Sequence, residues 1–204
     1  MFLGRYYQIR GLQQSLCDLY LTEIRKGPKM WEERFRTPDY LFGTEPAAML
    51  TARADWFAPG QSVLSVADGE GRNSVHLAER GLDVTALEYA PSALAKARRL
   101  AEARGVTVAF VETDVLAHDW PEAAYDIVLG VFIQFVGPDE RAQLFEGMAR
   151  AVRPGGRIIL HGYTPKQLEF GTGGPGRLEN LYTPELLRAA FPGWQVETCE
   201  AYEA

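Results

Sequence analysis

The stretch SVADGEGRN, residues 65–73, decides how this chain is expected to fold. It follows the apolar pair Val63-Leu64, contains Gly69 and Gly71 one residue apart, and leads into a helical pattern. Glycines in a loop between a strand and a helix let a ligand approach the backbone, and the helix N-terminus offers free N–H groups to an anion. By itself, the loop is compatible with a pyrophosphate, a carboxylate or a tight turn that binds no ligand.

Strand and helix patterns alternate along the chain on both sides of this loop. Strand patterns fall at residues 62–67, 82–88, 106–112, 125–135, 156–163 and 194–202. Helical patterns fall at residues 44–56, 71–81, 91–105, 138–152 and 183–191. Because such alternation is typical of a parallel sheet covered by helices on both faces, we predict a doubly wound, mostly parallel α/β fold.

The composition indicates one soluble globular domain. A chain of 204 residues with 47% apolar and 24% charged residues is long enough to bury a core. The net charge of −6 argues against a nucleic-acid surface, which is usually basic. No apolar run approaches the ~20 residues of a membrane span, and the N-terminus lacks the apolar region of a signal peptide. We therefore expect no membrane and no nucleic acid among its partners.

The cysteines and histidines favour a cytoplasmic protein without a metal site. Cys17 and Cys199 are far apart and form no CxxC motif, which fits a reducing compartment. The three histidines, His76, His118 and His161, show no metal-ligand spacing.

The N-terminal segment, residues 1–29, differs from the remaining chain. It carries five basic and two acidic residues, and Leu12, Leu16, Leu19 and Tyr20 fall on one helical face. It is either a helix that touches a partner or membrane, or a loose extension before a start at Met30, and we expect the extension. From Met30 we predict an aromatic-rich loop, then a helix capped by Thr44. The predicted domain comprises residues 30–204.

Acidic residues follow two of the predicted strands. Ligands of parallel sheets bind outside the carboxyl ends of the strands. Glu88, after the second strand, suits the hydroxyls of a ribose and therefore supports a nucleoside without identifying the cofactor. Asp114, after the third, either accepts from the amine of adenine, with the Val115 N–H on a ring nitrogen, or caps a turn. Phe132 and Phe135, after the fourth, either wall a pocket or fill the core.

The order of five short pieces gives the chain its family resemblance. These pieces are FGTEP (42–46), SVADGEGRN (65–73), ALEYAP (86–91), TDV (113–115) and RPGGRIIL (153–160). From Met30 onward the chain resembles a class I S-adenosylmethionine-dependent methyltransferase. It is similar to the small-molecule branch that includes tellurite-resistance and thiopurine-type enzymes.

The resemblance implies a cofactor, S-adenosyl-L-methionine, and the residues that hold it. Glu88 would bind the ribose, Tyr89 would pack on adenine, and Asp114 with Val115 would read the adenine edge. The backbone near Gly130 and Val131 would accept from the ammonium group. The methionine and its carboxylate would contact the loop, at Ala67, Asp68, Gly69, Gly71, Arg72 and Asn73.

The chain departs from the family pattern at two loop positions. Relatives usually have an acid where Ser65 stands and a glycine where Ala67 stands. We expect Asp68 to supply the missing charge and Ser65→Asp to be tolerated.

The resemblance implies methyl transfer to a small-molecule acceptor by in-line displacement, and the cofactor supplies the activated methyl group. The candidates for a general base are His161 and Tyr163. Gln134 stands where relatives often carry histidine. The candidate acceptor contacts are Trp31, Tyr40, Phe132, Gln134 and Arg177, with Phe42 in an aromatic lid and residues 170–177 as a flap.

Two other functions remain open on the sequence alone. The missing acid at Ser65 and the lack of an evident base are compatible with a non-catalytic nucleoside-binding module. An NAD-dependent oxidoreductase is disfavoured because a dinucleotide fingerprint requires a glycine where Ser74 stands.

The family resemblance also implies that the sheet lacks its last strand. Class I methyltransferases have a seventh strand, antiparallel, between the fifth and the sixth. The predicted sixth strand ends at Tyr202, so the natural chain continues beyond Ala204, a partner chain supplies the strand, or residues 1–29 cover the gap, and we expect the first.

Overall fold

The computed structural model describes residues 28–171 and 173–202, and a five-stranded parallel sheet forms its centre. The strands are β1 (Ser62–Val66), β2 (Asp83–Glu88), β3 (Ala109–Glu112), β4 (Tyr125–Val131) and β5 (Val152–His161). Their order across the sheet is β3-β2-β1-β4-β5, and all four pairings are parallel. The chain therefore winds outward in both directions from β1, which confirms the predicted doubly wound α/β fold.

Helices cover both faces of the sheet. They are α1 (Pro28–Phe35), α2 (Ala48–Ala52), α3 (Arg72–Glu79), α4 (Pro91–Arg104), α5 (Pro138–Ala151), α6 (Gln167–Phe170) and α7 (Pro184–Ala190), with 3₁₀ turns at Ala54–Trp56 and Leu178–Asn180. Alternate residues of a strand point to opposite faces. Val63 thus packs with Leu77 and Leu100 of α3 and α4, whereas Leu64 packs with Leu144 of α5.

The register of the three central strands brings their carboxyl ends together. Val66, the last residue of β1, pairs with Leu87 of β2 on one side and with Gly130 of β4 on the other. The residues that follow these three positions consequently lie side by side at one edge of the sheet. The order of strands reverses between β1 and β4, which is where parallel sheets usually bind ligands.

The prediction of a sixth strand at residues 194–202 is wrong. This segment has no strand pairing and touches β5 through side chains, with Arg157 Nε 3.1 Å from Glu197 Oε2 and Tyr202 stacked on His161. Its alternating pattern does not correspond to a buried face, because Val196 and Tyr202 are about half exposed. A pattern of side chains makes a strand only where a neighbouring backbone supplies hydrogen bonds.

The expectations for residues 30–56 also need correction. Residues 28–35 form α1 instead of a loop, and Trp31 and Phe35, four residues apart, stack on each other with ring centroids 5.7 Å apart. The next helix starts at Ala48 with Ala47, not Thr44, at its N-cap. Pro46 disfavours helical geometry at Glu45, so Thr44 cannot cap a helix that begins at Glu45. The Ala47 N–H is satisfied by Asn73 Oδ1 at 2.9 Å.

The prediction for the helical face at residues 12–20 lies outside the described residues. Within the described ranges, no helix has the length and apolar character needed to span a membrane.

Candidate functional site

A cleft of about 450 Å³ opens at the carboxyl ends of the strands. Its walls come from the loops after β1, β2, β3 and β4, from α1 and the segment after it, and from Tyr163, Gly174 and Pro175. The cleft is lined by most of the residues that the sequence predicted for the cofactor: Ala67, Asp68, Gly69, Arg72, Asn73, Glu88, Tyr89, Asp114, Val115 and Val131. It is also lined by four residues predicted for the acceptor or the chemistry: Trp31, Phe132, Gln134 and Tyr163.

Two predicted cofactor residues, Gly71 and Gly130, are not among the residues that line the cleft. A Cβ on Gly71 would lie 2.7 Å from the Cβ of Ala97, so this glycine allows α3 to pack closely against α4. A Cβ on Gly130 would lie 2.6 Å from Ile133 Cδ1, so this glycine makes room for a buried side chain. The contact at Gly71 includes backbone, whereas the contact at Gly130 is with side-chain atoms.

Three further predicted residues are also outside the lining of the cleft. Tyr40 donates its hydroxyl to the Lys96 carbonyl at 3.0 Å, and Arg177 lies 3.6 Å from Glu179 in an exposed ion pair. The ring of His161 packs edge-on against Phe132. Burial and the nearby Arg72 charge lower the pKa of His161, which favours a neutral imidazole.

Two residues other than glycine have left-handed backbone at the cleft. Ala67 follows β1 with φ +49° and Phe132 follows β4 with φ +59°. These strands are neighbours, and both residues line the cleft. Such backbone costs free energy and is concentrated at functional sites, so its occurrence at two adjacent strand ends supports a functional role for this edge.

Asp68 is one of two buried acids in the glycine loop, and the other is Glu70. Its Oδ1 accepts a hydrogen bond from Ser65 Oγ at 2.7 Å, and its Oδ2 accepts one from Ser74 Oγ. Burial raises the pKa of Asp68, although the hydrogen bonds from Ser74 and Ser65 oppose this shift. The two serines that depart from the usual cofactor-loop patterns therefore both serve to hold Asp68.

This geometry reverses the expected effect of Ser65→Asp. The change removes a donor and places a second carboxylate against a buried one, so we expect a loss of about 1.5–3 kcal/mol in unfolding free energy at neutral pH. Like charge raises the pKa of the folded pair above the unfolded value. The folded state is therefore favoured at low pH, and the loss grows as the pH rises through the folded-state pKa. Urea unfolding at several pH values measures it.

Ser65→Ala is the matched control, because it removes the hydrogen bond without adding a charge. We expect its destabilisation to change less with pH than that of Ser65→Asp. Wild-type stability of Ser65→Asp at neutral pH would mean that Asp68 is not held as described.

Glu88 connects the end of β2 to the glycine loop. Its Oε2 accepts from the Gly69 N–H and its Oε1 from the Ala90 N–H, each at 2.8 Å. The residue is 6% exposed, and burial raises the pKa of its carboxyl group, while these two hydrogen bonds lower it. Asp114 Oδ1 accepts from the Leu116 N–H at 3.0 Å, so the turn-capping interpretation describes this oxygen, while the residue also lines the cleft.

Gln134 holds the backbone of Tyr163. Its Oε1 accepts from the Tyr163 N–H at 2.6 Å, and its Nε2 donates to the Tyr163 carbonyl at 2.8 Å and to the Asn180 carbonyl at 3.1 Å. Tyr163 in turn packs on Phe132 with ring centroids 4.7 Å apart. The amide that was predicted to contact an acceptor is thus used to position a ring of the cleft wall.

The segment of residues 28–42, which we call the cover, closes one side of the cleft with aromatic rings. Trp31, Phe35 and Phe42 form a cluster with centroids 5.7–6.3 Å apart. Glu32 attaches the cover to α4, because its carboxylate accepts from the Ser92 hydroxyl at 2.7 Å and from the Ser92 N–H at 3.0 Å.

Sequence reasoning missed a buried ion pair beneath the cover. Lys96 Nζ lies 2.7 Å from Glu70 Oε1, and the two side chains are 4% and 2% exposed. A signal was available, because Lys96 falls on the same helical face as the buried Ala93, Ala97 and Leu100. A lysine on a buried face requires a partner, but the helical pattern does not identify which acid it is.

The charges of the cleft favour a cationic or polar ligand on its acidic side. The carboxylates of Asp68, Glu88 and Asp114 stand at the ends of β1, β2 and β3. Among the described residues that line the cleft, Arg72 is the only basic one.

Comparison with known proteins identifies relatives of this chain. Residues 63–156 match the methyltransferase domain family. The chain is 39% identical over 105 residues to the demethylmenaquinone methyltransferase of Thermus thermophilus. The matched region covers 50% of this chain and 47% of that protein. The chain spans about half the length of the curated relatives it matches.

Solved structures share the fold. A protein from the study of disulfide-to-thioacetal conversion in echinomycin biosynthesis has a TM-score of 0.69 at 23% identity, covering 84% of this chain and 80% of that one. A methyltransferase from Geobacter sulfurreducens, solved with S-adenosyl-L-homocysteine, has a TM-score of 0.52 at 23% identity, covering 62% and 52%.

Proposed function

Because this chain belongs to the class I S-adenosylmethionine-dependent methyltransferases, we propose that it transfers the methyl group of S-adenosylmethionine to a small-molecule acceptor in the cleft. The observation that carries the proposal is the row of three carboxylates, Asp68, Glu88 and Asp114, at the ends of three adjacent strands around the glycine loop.

The residues of the cleft fit the cofactor from its adenine end to its methionine end. A carboxylate has about four lone-pair sites, so Glu88 retains acceptor capacity for ribose hydroxyls after receiving two backbone N–H groups. Tyr89 is 37% exposed at the cleft, and its ring would pack on adenine. The carboxylate of Asp114 would accept a hydrogen bond from the adenine amine. Asp68 would attract the ammonium group and Arg72 the carboxylate of the methionine part.

The other side of the cleft suits an apolar acceptor. When bound, the cofactor supplies an activated methyl group on a sulfonium. The rings of Trp31, Phe42, Phe132 and Tyr163 would hold the acceptor in line and exclude water. This wall supports a planar ring compound such as the reduced, hydroquinone form of demethylmenaquinone, which carries ionisable hydroxyls; the Thermus relative is named for demethylmenaquinone.

No evident general base faces the acceptor among the described residues. His161 is outside the lining of the cleft and packs against Phe132, while Tyr163 lines the cleft. The ring of Tyr163 packs on Phe132 with centroids 4.7 Å apart, which makes it part of the aromatic wall. We therefore propose an acceptor whose nucleophilic atom ionises without help from the protein.

Calorimetry and turnover together test the function. We expect S-adenosylmethionine and S-adenosylhomocysteine to bind and NAD not to bind. We also expect S-adenosylhomocysteine to form when the enzyme is given a panel of ring acceptors with an ionisable oxygen or sulfur. Binding without turnover on a full metabolite pool would support the non-catalytic module, and binding of NAD alone would contradict the proposal.

We expect Glu88→Ala to weaken cofactor binding by about 1.5–3 kcal/mol, because hydrogen bonds to a charged group are lost. This corresponds to roughly 10- to 150-fold in Kd, measured by calorimetry. Since Glu88 also accepts from the Gly69 N–H, the melting temperature must be measured alongside.

Glu112→Ala is the control for Glu88→Ala. Glu112 pairs with Glu88 in the neighbouring strand, is exposed, and is not among the residues that line the cleft. An unchanged Kd for Glu88→Ala would remove Glu88 from the proposed site.

A further inference from the structure

The Glu70 side chain connects the glycine loop to the cover. Glu70 lies between Gly69 and Gly71, and its Oε2 accepts from the Leu41 N–H at 2.7 Å and from the Phe42 N–H at 3.4 Å. The backbone of the cover is therefore hydrogen-bonded to a residue of the loop that is proposed to hold the cofactor.

Lys96 completes this connection from α4. Its Nζ donates to the Asp39 carbonyl at 2.6 Å in addition to Glu70 at 2.7 Å, and its own carbonyl accepts from the Tyr40 hydroxyl at 3.0 Å. The backbone of Asp39, Leu41 and Phe42 is thus held by one buried ion pair, and the acidic member of this pair belongs to the glycine loop.

Two further contacts place the rings of the cover against the glycine loop. Phe35 Cζ lies 3.7 Å from the position that a Cβ on Gly69 would occupy, and Arg72 donates to the Phe42 carbonyl at 3.3 Å. A displacement of the cover would therefore move Phe42 and change the packing on Gly69, both of which line the cleft.

From these contacts we propose that Glu70 is a positioning residue. Its carboxylate, by accepting from the Leu41 and Phe42 N–H groups, couples the position of the cover to the affinity of the cleft for S-adenosylmethionine. The proposal rests on the proposed function. Coupling is reciprocal, so the bound cofactor also stabilises the attachment of the cover.

Two double variants separate this coupling from a purely structural ion pair. Glu70→Gln with Lys96→Met removes both charges and keeps an acceptor for the cover. Glu70→Leu with Lys96→Met removes both charges and the acceptor. Neither leaves a buried charge unpaired, which is the main cause of instability when one partner is removed alone.

We expect the Gln/Met variant to bind S-adenosylmethionine within about threefold of wild type and the Leu/Met variant to bind at least about tenfold more weakly, the 1.4 kcal/mol typical of one net hydrogen bond. The fluorescence of Trp31 is obtained by subtracting the spectrum of the same variant carrying Trp31→Phe. Its emission maximum should shift to longer wavelength only in the Leu/Met variant. Glu79→Gln with Arg104→Met, which removes an exposed α3–α4 ion pair of 3.3 Å, is the control and should bind as wild type does.

Equal affinities of the two double variants, or a wild-type affinity for Leu/Met, would overturn the proposal. If Leu/Met does not fold, amide hydrogen exchange of the wild-type protein decides. The cofactor should slow exchange at Leu41 and Phe42, and an unchanged rate would equally overturn the coupling. A wild-type protein that binds no S-adenosylmethionine contradicts the proposed function instead, and the Trp31 emission still reports whether Glu70 holds the cover.

Discussion

Lys96→Met is expected to lower the free energy of unfolding by about 3–5 kcal/mol, the typical cost of leaving one partner of a buried ion pair uncompensated. Lys96 is 4% and Glu70 2% exposed at their side chains, so water cannot replace the lost ammonium group. Met has a similar length and fills the same space, so the loss reports the charge and the hydrogen bond to Asp39 more than a cavity.

Urea unfolding measures this loss, and two comparisons interpret it. Arg104, also on α4, forms exposed pairs with Glu79 and Glu45, and for Arg104→Met we expect a loss of about 0–1 kcal/mol. Adding Glu70→Gln to Lys96→Met should recover much of the loss, because no unpaired charge remains buried. A loss below about 1 kcal/mol for Lys96→Met would mean that the pair is hydrated in solution.

Gly71→Ala is expected to cost about 2–5 kcal/mol. The left-handed backbone of Gly71, at φ +89°, costs a side-chain-bearing residue about 1–2 kcal/mol. The new methyl group would also lie 2.7 Å from Ala97 Cβ and 2.9 Å from Ala97 Cα, and overpacking of this kind costs about 1–3 kcal/mol. Since Ala97 Cα is backbone, α3 and α4 must separate to relieve the contact.

Gly105→Ala is the matched control, because it has φ +67° and no atom within 4 Å of the new Cβ. We expect it to lose about 1–2 kcal/mol from the backbone conformation alone. Thermal unfolding of both variants gives the difference, which isolates the contact between α3 and α4. Equal losses would show that packing at Gly71 does not limit stability.

The strands and helices around the glycine loop were predictable because their signals are local. The apolar runs at 62–66 and 125–131 form the central strands, and the proline and glycine that bound α4 at Pro91 and Gly105 place its ends. Parallel strands end at one edge, so Glu88 and Asp114 could be predicted to share a site from the order of the elements alone.

The end of the chain shows where local signals fail. The alternation of apolar and polar residues at 194–202 resembles that of a strand. A strand also requires hydrogen bonds from a neighbouring backbone, and the sequence of the segment does not show whether such a neighbour is present. For the same reason α1 was predicted as loop. Its eight residues are too few for a stable isolated helix, and the stacking of Trp31 on Phe35 and the Glu32–Ser92 contacts hold it in place.

The sequence by itself determined the doubly wound sheet, its glycine loop and the carboxylates at the strand ends, because each depends on a periodicity or spacing within one or two elements. Only the tertiary structure decided the roles of individual residues: Gly71 in helix packing, Gln134 on the Tyr163 backbone, Ser65 and Ser74 on Asp68, and Glu70 with Lys96 beneath the cover. Most of these contacts join residues far apart in the chain or select one hydrogen-bond partner among several. Burial then fixes that selection, because a polar group removed from water is stable only with the partner that the fold brings to it.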